Sequence, residues 1–244
     1  MLNLLFGLIG LLVGGLINVL ADDWPKRERP FPPHCPNCAY VYKPAGWLAV
    51  LRFGRPCPAC GVGRKRPLLV EISAVLLFAA LPSLLPDTRT LLVYAFYIAL
   101  LLLIIVIDLE NRLILDITTL PGTALALLFS FLLPQINLIS ALLGAVIGYL
   151  IFWLIYWLAK VTFGPGAIGQ GDVKLAMLMG AMLGVPAILV ALVLGIFLGG
   201  LISGLLLATR LVKRRSYLPY GQYLALAAIV MLLWGEAIIA WWLG

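Results

Sequence analysis

The sequence predicts an all-α polytopic membrane protein with about eight transmembrane helices and a small polar domain between the first two. Hydrophobic residues make up 64% of the 244 residues, charged residues only 11%, and the mean hydropathy is +1.11. An ordinary soluble domain carries about a quarter charged residues, and a disordered chain combines low hydrophobicity with high net charge. Both classes are therefore excluded. The apolar runs are continuous rather than alternating, which favours helices over the strands of a membrane β-barrel.

Eight apolar runs are separated by short polar segments and by one long one. A membrane helix requires about 20 apolar residues. The first run has no basic region before it and no small-residue cleavage site after it, so we expect a retained helix. The runs lie at 2–20, 68–86, 90–107, 117–134, 137–160, 173–184, 187–209 and 218–243. The sixth is short for a span. The expected domains are a first helix at 1–20, a polar domain at 21–67 and a seven-helix membrane domain at 68–244.

Basic residues fall almost entirely on one side of the expected helices. With the N-terminus outside, 16 of the 17 Lys and Arg residues face the cytoplasm, and only Arg89 lies on the other side. An excess of basic charge in cytoplasmic segments orients membrane proteins. The pattern predicts that both termini lie outside, and it explains the net charge of +7 by orientation rather than by nucleic-acid binding.

All four cysteines lie in the polar domain, in two C-x-x-C pairs separated by eighteen residues: Cys35 with Cys38, and Cys57 with Cys60. Four thiolates at this spacing complete a closed tetrahedral site typical of structural Zn²⁺. Iron is less favoured, and two disulfides are an alternative that a reducing cytoplasm disfavours. Because so small a domain has few apolar residues, we expect the metal to supply folding energy. His34 is a further candidate ligand, although four thiolates suffice.

Two aspartates stand at the cytoplasmic edges of apolar runs. Asp108 directly follows the third run, and Asp172 directly precedes the sixth. A carboxylate at the edge of hydrocarbon is costly, so we expect it to face the bundle interior beside a partner. Two carboxylates that approach one water do not both ionise easily, which leaves an acid beside a base. The pair therefore predicts hydrolysis of a peptide bond by an activated water.

Glycines precede the second aspartate in the string GAIGQGDVKLAM. We expect Gly169 and Gly171 to permit unusual backbone torsions and close approach by a substrate strand. Alone, the string is better explained by a helix-start turn with the aspartate as N-cap, but a second membrane-edge aspartate on the same side reverses that preference. Asp116 is the rival for the first position, although capping of the following helix explains it.

Ordered motifs extend over nearly the whole chain. The first run ends in GGLINV, RPLLVEI covers 66–72, IDLENRLILDITTLPG covers 107–122, and IGQGDVKLAMLMGAMLG and LPYGQYLALAA follow. They are similar to G-S-F-L-N-V, R-Y-P-L-V-E-L, I-D-x-x-x-x-x-I-P-D-x-x-T-L-P, G-x-G-D-x-K-L and P-F-G-P-Y-L-A-L-G-A. Together with the tetracysteine domain, they make the chain resemble the type IV prepilin peptidase family of pilus and type II secretion systems.

The resemblance implies that Asp108 and Asp172 are the catalytic aspartates, with support from Gly169, Gly171 and Lys174 of the same motif. It implies cleavage of the leader of a prepilin or pseudopilin after glycine, at the cytoplasmic face of the bacterial inner membrane. Such a substrate would present a basic leader in the cytoplasm and an apolar helix in the bilayer. The resemblance also implies methyl transfer from S-adenosylmethionine to the new α-amine.

Three stretches depart from the family pattern. Ile114-Leu115 replaces I-P, LADDWPKRERP follows Asn18 where I-x-R-L-P is common, and Gln222 replaces the second proline of P-F-G-P. The residues for methyl transfer are poorly fixed by motif. We expect Glu71 and Asn18 to bind the substrate amine or the cofactor, and an interfacial acid at a helix start is an equal explanation of Glu71.

The alternative function is a non-enzymatic membrane receptor or assembly platform. In that case the zinc module would bind a partner, and the two aspartates would only cap helices. A methyltransferase that has lost proteolysis is disfavoured, because both acids and both glycines are present.

Overall fold

A computed structural model describes residues 1–26, 30, 32–164, 169–209 and 220–243. Within these residues the chain forms eight α-helices and no β-strand, which confirms the all-α class. The helices are α1 (Leu2–Asp23), α2 (Lys65–Leu84), α3 (Thr88–Asn111), α4 (Asp116–Phe129), α5 (Leu138–Phe163), α6 (Gln170–Leu183), α7 (Ala187–Ala208) and α8 (Gly221–Leu243). Short 3-10 turns at Trp24–Lys26, Pro44–Gly46 and Val50–Arg52 lie between α1 and α2.

Parts of three sequence expectations fall outside the described residues. Positions 27–29 belong to the polar segment after the first run. Positions 165–168 hold the start of the GAIGQGD string, and 210–219 hold a basic cluster and the start of LPYGQ.

Six of the eight described helices are long and apolar enough to cross a bilayer, namely α1, α2, α3, α5, α7 and α8. The other two, α4 and α6, have 14 residues each. A helix of that length is about 21 Å long, shorter than the ~30 Å hydrocarbon core. Ten of the residues in α6 are buried, and it packs against α4, α5, α7 and α8. The short sixth run is therefore a core helix, and it begins three residues earlier than expected, at Gln170.

The chain divides into two compact units, Met1–Val106 and Ile107–Gly244. The division expected from the sequence, at 1–20, 21–67 and 68–244, stays a prediction. In the first unit, α1 packs on α2 through small residues. A Cβ atom built on Gly10 would lie 2.6 Å from the carbonyl oxygen of Ala74, and one built on Gly14 would lie 2.8 Å from Cα of Glu71. Glycines therefore let the two backbones approach closely, as small residues do between membrane helices.

In the second unit, α5 and α6 make the same kind of contact. A Cβ atom on Gly144 or on Gly180 would collide with the backbone of the other glycine, and one on Gly148 would collide with the carbonyl oxygen of Ala176. Because α6 carries Asp172 in its first turn, this contact also determines the position of that carboxylate along the axis of α5.

We predict that Gly180→Ala destabilises the protein by about 1–3 kcal/mol, since the added methyl group overpacks the α5–α6 contact. Gly200→Ala on α7 is the matched control, because nothing lies within 4 Å of its Cβ position and alanine favours helix. Thermal unfolding of the purified protein in detergent should show a lower Tm for Gly180→Ala alone. Equal Tm values for the two variants would contradict the close contact.

Candidate active site and metal centre

Asp108 lies in the last turn of α3 and is only 4% exposed. The first residues of α8 hold its carboxylate. The backbone N–H of Gln222 donates to Oδ2 at 2.9 Å, and a Cβ atom on Gly221 would lie 3.1 Å from the same oxygen. The positive end of a helix dipole and a charge-assisted hydrogen bond both favour a carboxylate at this place.

Asp172 lies in the first turn of α6 and is 3% exposed. Its Oδ2 accepts a hydrogen bond from the N–H of Gly169 at 3.1 Å, and its own N–H donates to the carbonyl oxygen of Gly169 at 3.2 Å. The side chain thus reaches back from the third helical position to the N-cap residue. It is not itself the N-cap, which was the structural alternative considered for this string.

Ile114 and the start of α8 connect the surroundings of the two aspartates. Gly221 and Gln222, the first two residues of α8, contact Asp108. Ile114 packs between the two helix starts, because a Cβ atom on Gly171 or on Gly221 would lie 2.7 Å from its side chain. The ends of α3, α6 and α8 therefore surround one buried pair of carboxylates.

The expected role of the glycines before Asp172 needs correction. Gly169 has φ −83° and ψ 146°, an extended conformation that any residue adopts, and Gly171 lies within α6. The expectation of unusual torsions is therefore wrong. Gly171 is needed because another side chain lies against its backbone. In the structure this side chain is that of Ile114, not a substrate strand.

Asp116, the rival carboxylate, lies in the first turn of α4 and is exposed. Its Oδ1 accepts from Nζ of Lys174 on α6 at 2.6 Å. This ion pair joins the starts of two helices beside the buried pair. Lys174 therefore lies next to the site. Asp116 is exposed and is not part of the buried pair.

The signals for the surrounding residues were weak in the sequence. LPYGQYLALAA stood out only by resemblance, and nothing in it indicated that the N–H of Gln222 would meet Asp108. A proline, which the similar motif has at this position, has no N–H to donate. Ile114 stood out only as the residue before Leu115, which replaces the proline of the similar motif.

The four cysteines cluster in the first unit, with their Sγ atoms all within 4.8 Å of one another. Sγ of Cys35 lies 3.6 Å from that of Cys60, and Sγ of Cys38 lies 3.7 Å from that of Cys57. Two sulfurs around Zn²⁺ with bonds of about 2.3 Å would stand roughly 3.8 Å apart, whereas a disulfide bond is about 2.05 Å. All four are free thiols, so the donor set fits a metal ion.

Each cysteine pair is held by the same backbone pattern. The N–H groups of Ala39 and Gly61 donate to the carbonyl oxygens of Cys35 and Cys57, at 2.9 Å in both cases. Burial raises the pKa of the Cys57 thiol, but the N–H groups of Ala59 and Cys60 stabilise the thiolate and bring the pKa down to about 6. Turns of this kind point backbone donors at the sulfurs and prepare them for a cation.

His34, the further candidate ligand, has other contacts. Its Nε2 lies 3.5 Å from Oδ1 of Asp23, and its Nδ1 lies 3.3 Å from the carbonyl oxygen of Pro32. The four thiols therefore form the metal cluster without it.

Glu71 is fully buried in the first unit. Its Oε1 accepts from the N–H of Ala49 at 2.8 Å and from Nδ2 of Asn18 at 3.3 Å, and its Oε2 accepts from the N–H of Val50 at 2.7 Å. Oδ1 of Asn18 accepts from Arg66 at 3.0 Å. The role of Glu71 and Asn18 in binding a substrate or cofactor stays a prediction. In the structure they connect α1, α2 and the cysteine-containing segment.

The fold and these two centres define a multi-pass membrane protein with a buried aspartate pair and a tetracysteine module. The model of the type IV leader peptidase family matches residues 95–204, which include both aspartates. The chain is 30% identical to a prepilin leader peptidase/N-methyltransferase of Aeromonas hydrophila, over 97% of this chain and 92% of the relative. Proteins with the same name from Pseudomonas aeruginosa (30% identical, 95% and 90% covered) and Bacillus subtilis (29% identical, 100% and 98% covered) are also similar.

The chain belongs to the type IV leader peptidase family, which confirms the resemblance found in its motifs. No solved structure is significantly similar to it. Membership in a peptidase family does not favour the alternative of a non-enzymatic receptor.

We predict that the cysteine module holds one metal ion per chain. Cys38→Ser and Cys60→Ser should each lower the bound metal, measured by plasma mass spectrometry, because a hydroxyl replaces a thiolate. Since protons compete with the metal for thiolates, lowering the pH below about 5 should also release the ion. Asn37→Ala, an exposed change between two of the cysteines, is the control and should keep it. Wild-type protein without metal at neutral pH would contradict the prediction.

Proposed function

We propose that this protein is a membrane-embedded aspartyl endopeptidase that cleaves the leader peptide of type IV prepilins or pseudopilins after glycine. Asp108 and Asp172 are its catalytic residues. The observation that supports the proposal is that two buried carboxylates, at the end of α3 and the start of α6, are connected through Ile114 and the start of α8 in a chain of this family. The names of the relatives support the substrate class.

The proposed chemistry uses one ionised and one protonated carboxyl group. The ionised group removes a proton from a water placed between the two side chains, and the oxygen of that water attacks the carbonyl carbon of the scissile bond. The protonated group donates to the oxyanion. As the tetrahedral intermediate collapses, the C–N bond breaks and the carboxyl group that took the proton of the water passes it to the leaving amine. The other carboxylate regains its proton from a hydroxyl of the intermediate as the new carboxyl group forms. Burial strengthens each of these electrostatic interactions, because little water screens them.

The proposed site faces the cytoplasm. Nine basic residues lie in 21–67, and Arg112, Lys160 and Lys174 follow on the same side of the expected topology. The positive-inside rule then orients the chain with both termini outside. A prepilin would present its leader there, at the place where its apolar helix enters the bilayer. The partners are therefore the prepilin or pseudopilin substrate and the lipid bilayer.

The metal in the cysteine module is proposed to be structural Zn²⁺. Four thiolates close the tetrahedron and leave no open position for water or substrate. Cys35, Cys38, Cys57 and Cys60 would hold the ion, and its contribution would be the folding of a segment that lacks a large apolar core.

The second proposed activity is N-methylation of the new N-terminus with S-adenosylmethionine as the methyl donor. The name N-methyltransferase, shared by the relatives, supports it. Glu71 and Asn18 are proposed to contribute to binding the amine or the cofactor. Glu71 accepts a hydrogen bond from the N–H of Ala49, which lies between the cysteine pairs, and Asn18 donates to Glu71. Changes in the metal module should therefore affect this activity before they affect cleavage.

Mass spectrometry of a purified prepilin incubated with the protein tests both activities. Loss of the leader mass reports cleavage, and a further gain of one methylene mass, seen only with S-adenosylmethionine, reports methylation. Asp108→Asn and Asp172→Asn should each lower the cleavage rate by at least about a hundredfold, because they remove the acid or the base. Glu110→Gln is the matched control. It makes the same chemical change at an exposed position two residues from Asp108 and should keep cleavage.

A thermal unfolding transition with a Tm near that of the wild type shows that each variant is folded. Full processing by either asparagine variant, or equal loss in Glu110→Gln, would contradict the proposed pair.

A second prediction concerns the backbone donor to Asp108. Gln222→Pro removes the N–H that donates to Oδ2, while proline is tolerated in the first turn of a helix. We expect kcat/KM for cleavage to fall about tenfold, the worth of one hydrogen bond to a charged group. Gln222→Ala removes the side chain and keeps the N–H, so its kcat/KM should stay near that of the wild type. Equal losses in the two variants would assign the effect to the side chain instead.

A further inference from the structure

The segment between the two cysteine pairs packs against both helices of the first unit. We call residues 48–54 the interfacial segment. Cδ2 of Leu48 lies 2.6 Å from the position of a Cβ atom on Gly15 of α1. The N–H groups of Ala49 and Val50 donate to Glu71 of α2. At its other end, Gly54 lies against Leu68 of α2, whose Cδ2 is 3.0 Å from its Cβ position.

These contacts place the interfacial segment beside apolar parts of α1 and α2. Gly15 precedes Asp22, the first acidic residue of α1, by seven residues, which corresponds to about 10 Å along a helix. Glu71 follows Lys65, the first residue of α2, by six residues, or about 9 Å. A 20-residue helix such as α2 is only about as long as the hydrocarbon core is thick. Both helices therefore place these contacts within about 10 Å of their polar ends, near the boundary between headgroups and hydrocarbon.

Two large apolar side chains of the segment point away from the protein. Leu51 is 60% exposed and Phe53 is 88% exposed. Phe53 also has a φ of 49°, in the left-handed region that is costly for a residue with a side chain. Packing within the chain does not compensate that cost, because the ring makes so little contact with it. Exposed Lys43 and Arg55 lie on either side in the sequence.

We propose that Leu51 and Phe53 insert into the lipid bilayer at its interface and that the basic residues beside them attract anionic headgroups. An apolar side chain with flanking basic charge is the pattern that binds such a surface. The cysteine module would thereby be anchored by lipid as well as by its contacts with α1 and α2. This anchor does not depend on the proposed peptidase activity, and the activity can fail while the anchor stands.

The test measures the environment of Phe53 in the full chain, reconstituted in nanodiscs of phosphatidylcholine and phosphatidylglycerol. Phe53 and Val62 are replaced, one at a time, by para-acetylphenylalanine, which is labelled with a hydroxylamine nitroxide and leaves the cysteines untouched. Electron paramagnetic resonance then measures how often the nitroxide collides with oxygen, which concentrates in lipid, and with a neutral nickel chelate, which stays in water. Val62 is the control, since it is exposed and the glycines on both sides of it have open space around them.

We expect the ratio of oxygen access to nickel access to be several-fold higher at position 53 than at position 62. Equal ratios would overturn the proposal, because they would place Phe53 in water. Low access to both reagents at position 53 would overturn it as well, since that result means that a second protein chain or an apolar peptide covers the side chain. Bound metal in both labelled proteins shows that the module is folded.

Discussion

A carboxylate buried among apolar helices persists only where hydrogen-bond donors or a shared proton compensate its loss of water. Asp108 and Asp172 meet this requirement with backbone N–H groups at helix starts, from Gln222 of α8 and from Gly169 before α6. The ends of three helices must therefore converge on one point of the second unit. The proposed chemistry uses this constraint, because two acids held together in a site with little water can divide the roles of acid and base.

Small residues allow the helices to hold these positions. In the second unit, the glycines of α5 and α6 bring two backbones into contact and fix the height of α6. In the first unit, Gly10 and Gly14 do the same for α1 and α2, and Glu71 then uses its buried carboxylate to hold the backbone of Ala49 and Val50. The described parts of both units thus combine closely packed helices with a carboxylate bound by backbone N–H groups.

The sequence predicted what hydropathy and spacing determine directly. The helices, the metal-binding pattern of the cysteines and the exceptional position of the two aspartates follow from apolar runs and from polar residues at their ends. Contacts made by backbone groups were not predictable, because every residue except proline has an N–H, and the residue type at 222 does not indicate what that N–H binds. Gly171 is ambiguous in another way. A glycine is required both for unusual backbone torsions and for close approach by a side chain such as that of Ile114, and only the structure shows which of the two applies.

A density map of the full chain in lipid nanodiscs, at a resolution that shows ordered water, is the most direct measurement of the central claim. The account predicts one water within hydrogen-bond distance, about 2.6–3.2 Å, of a carboxyl oxygen of both Asp108 and Asp172. A packed side chain between the two carboxyl groups, such as that of Ile114, with no water in contact with both, would contradict it.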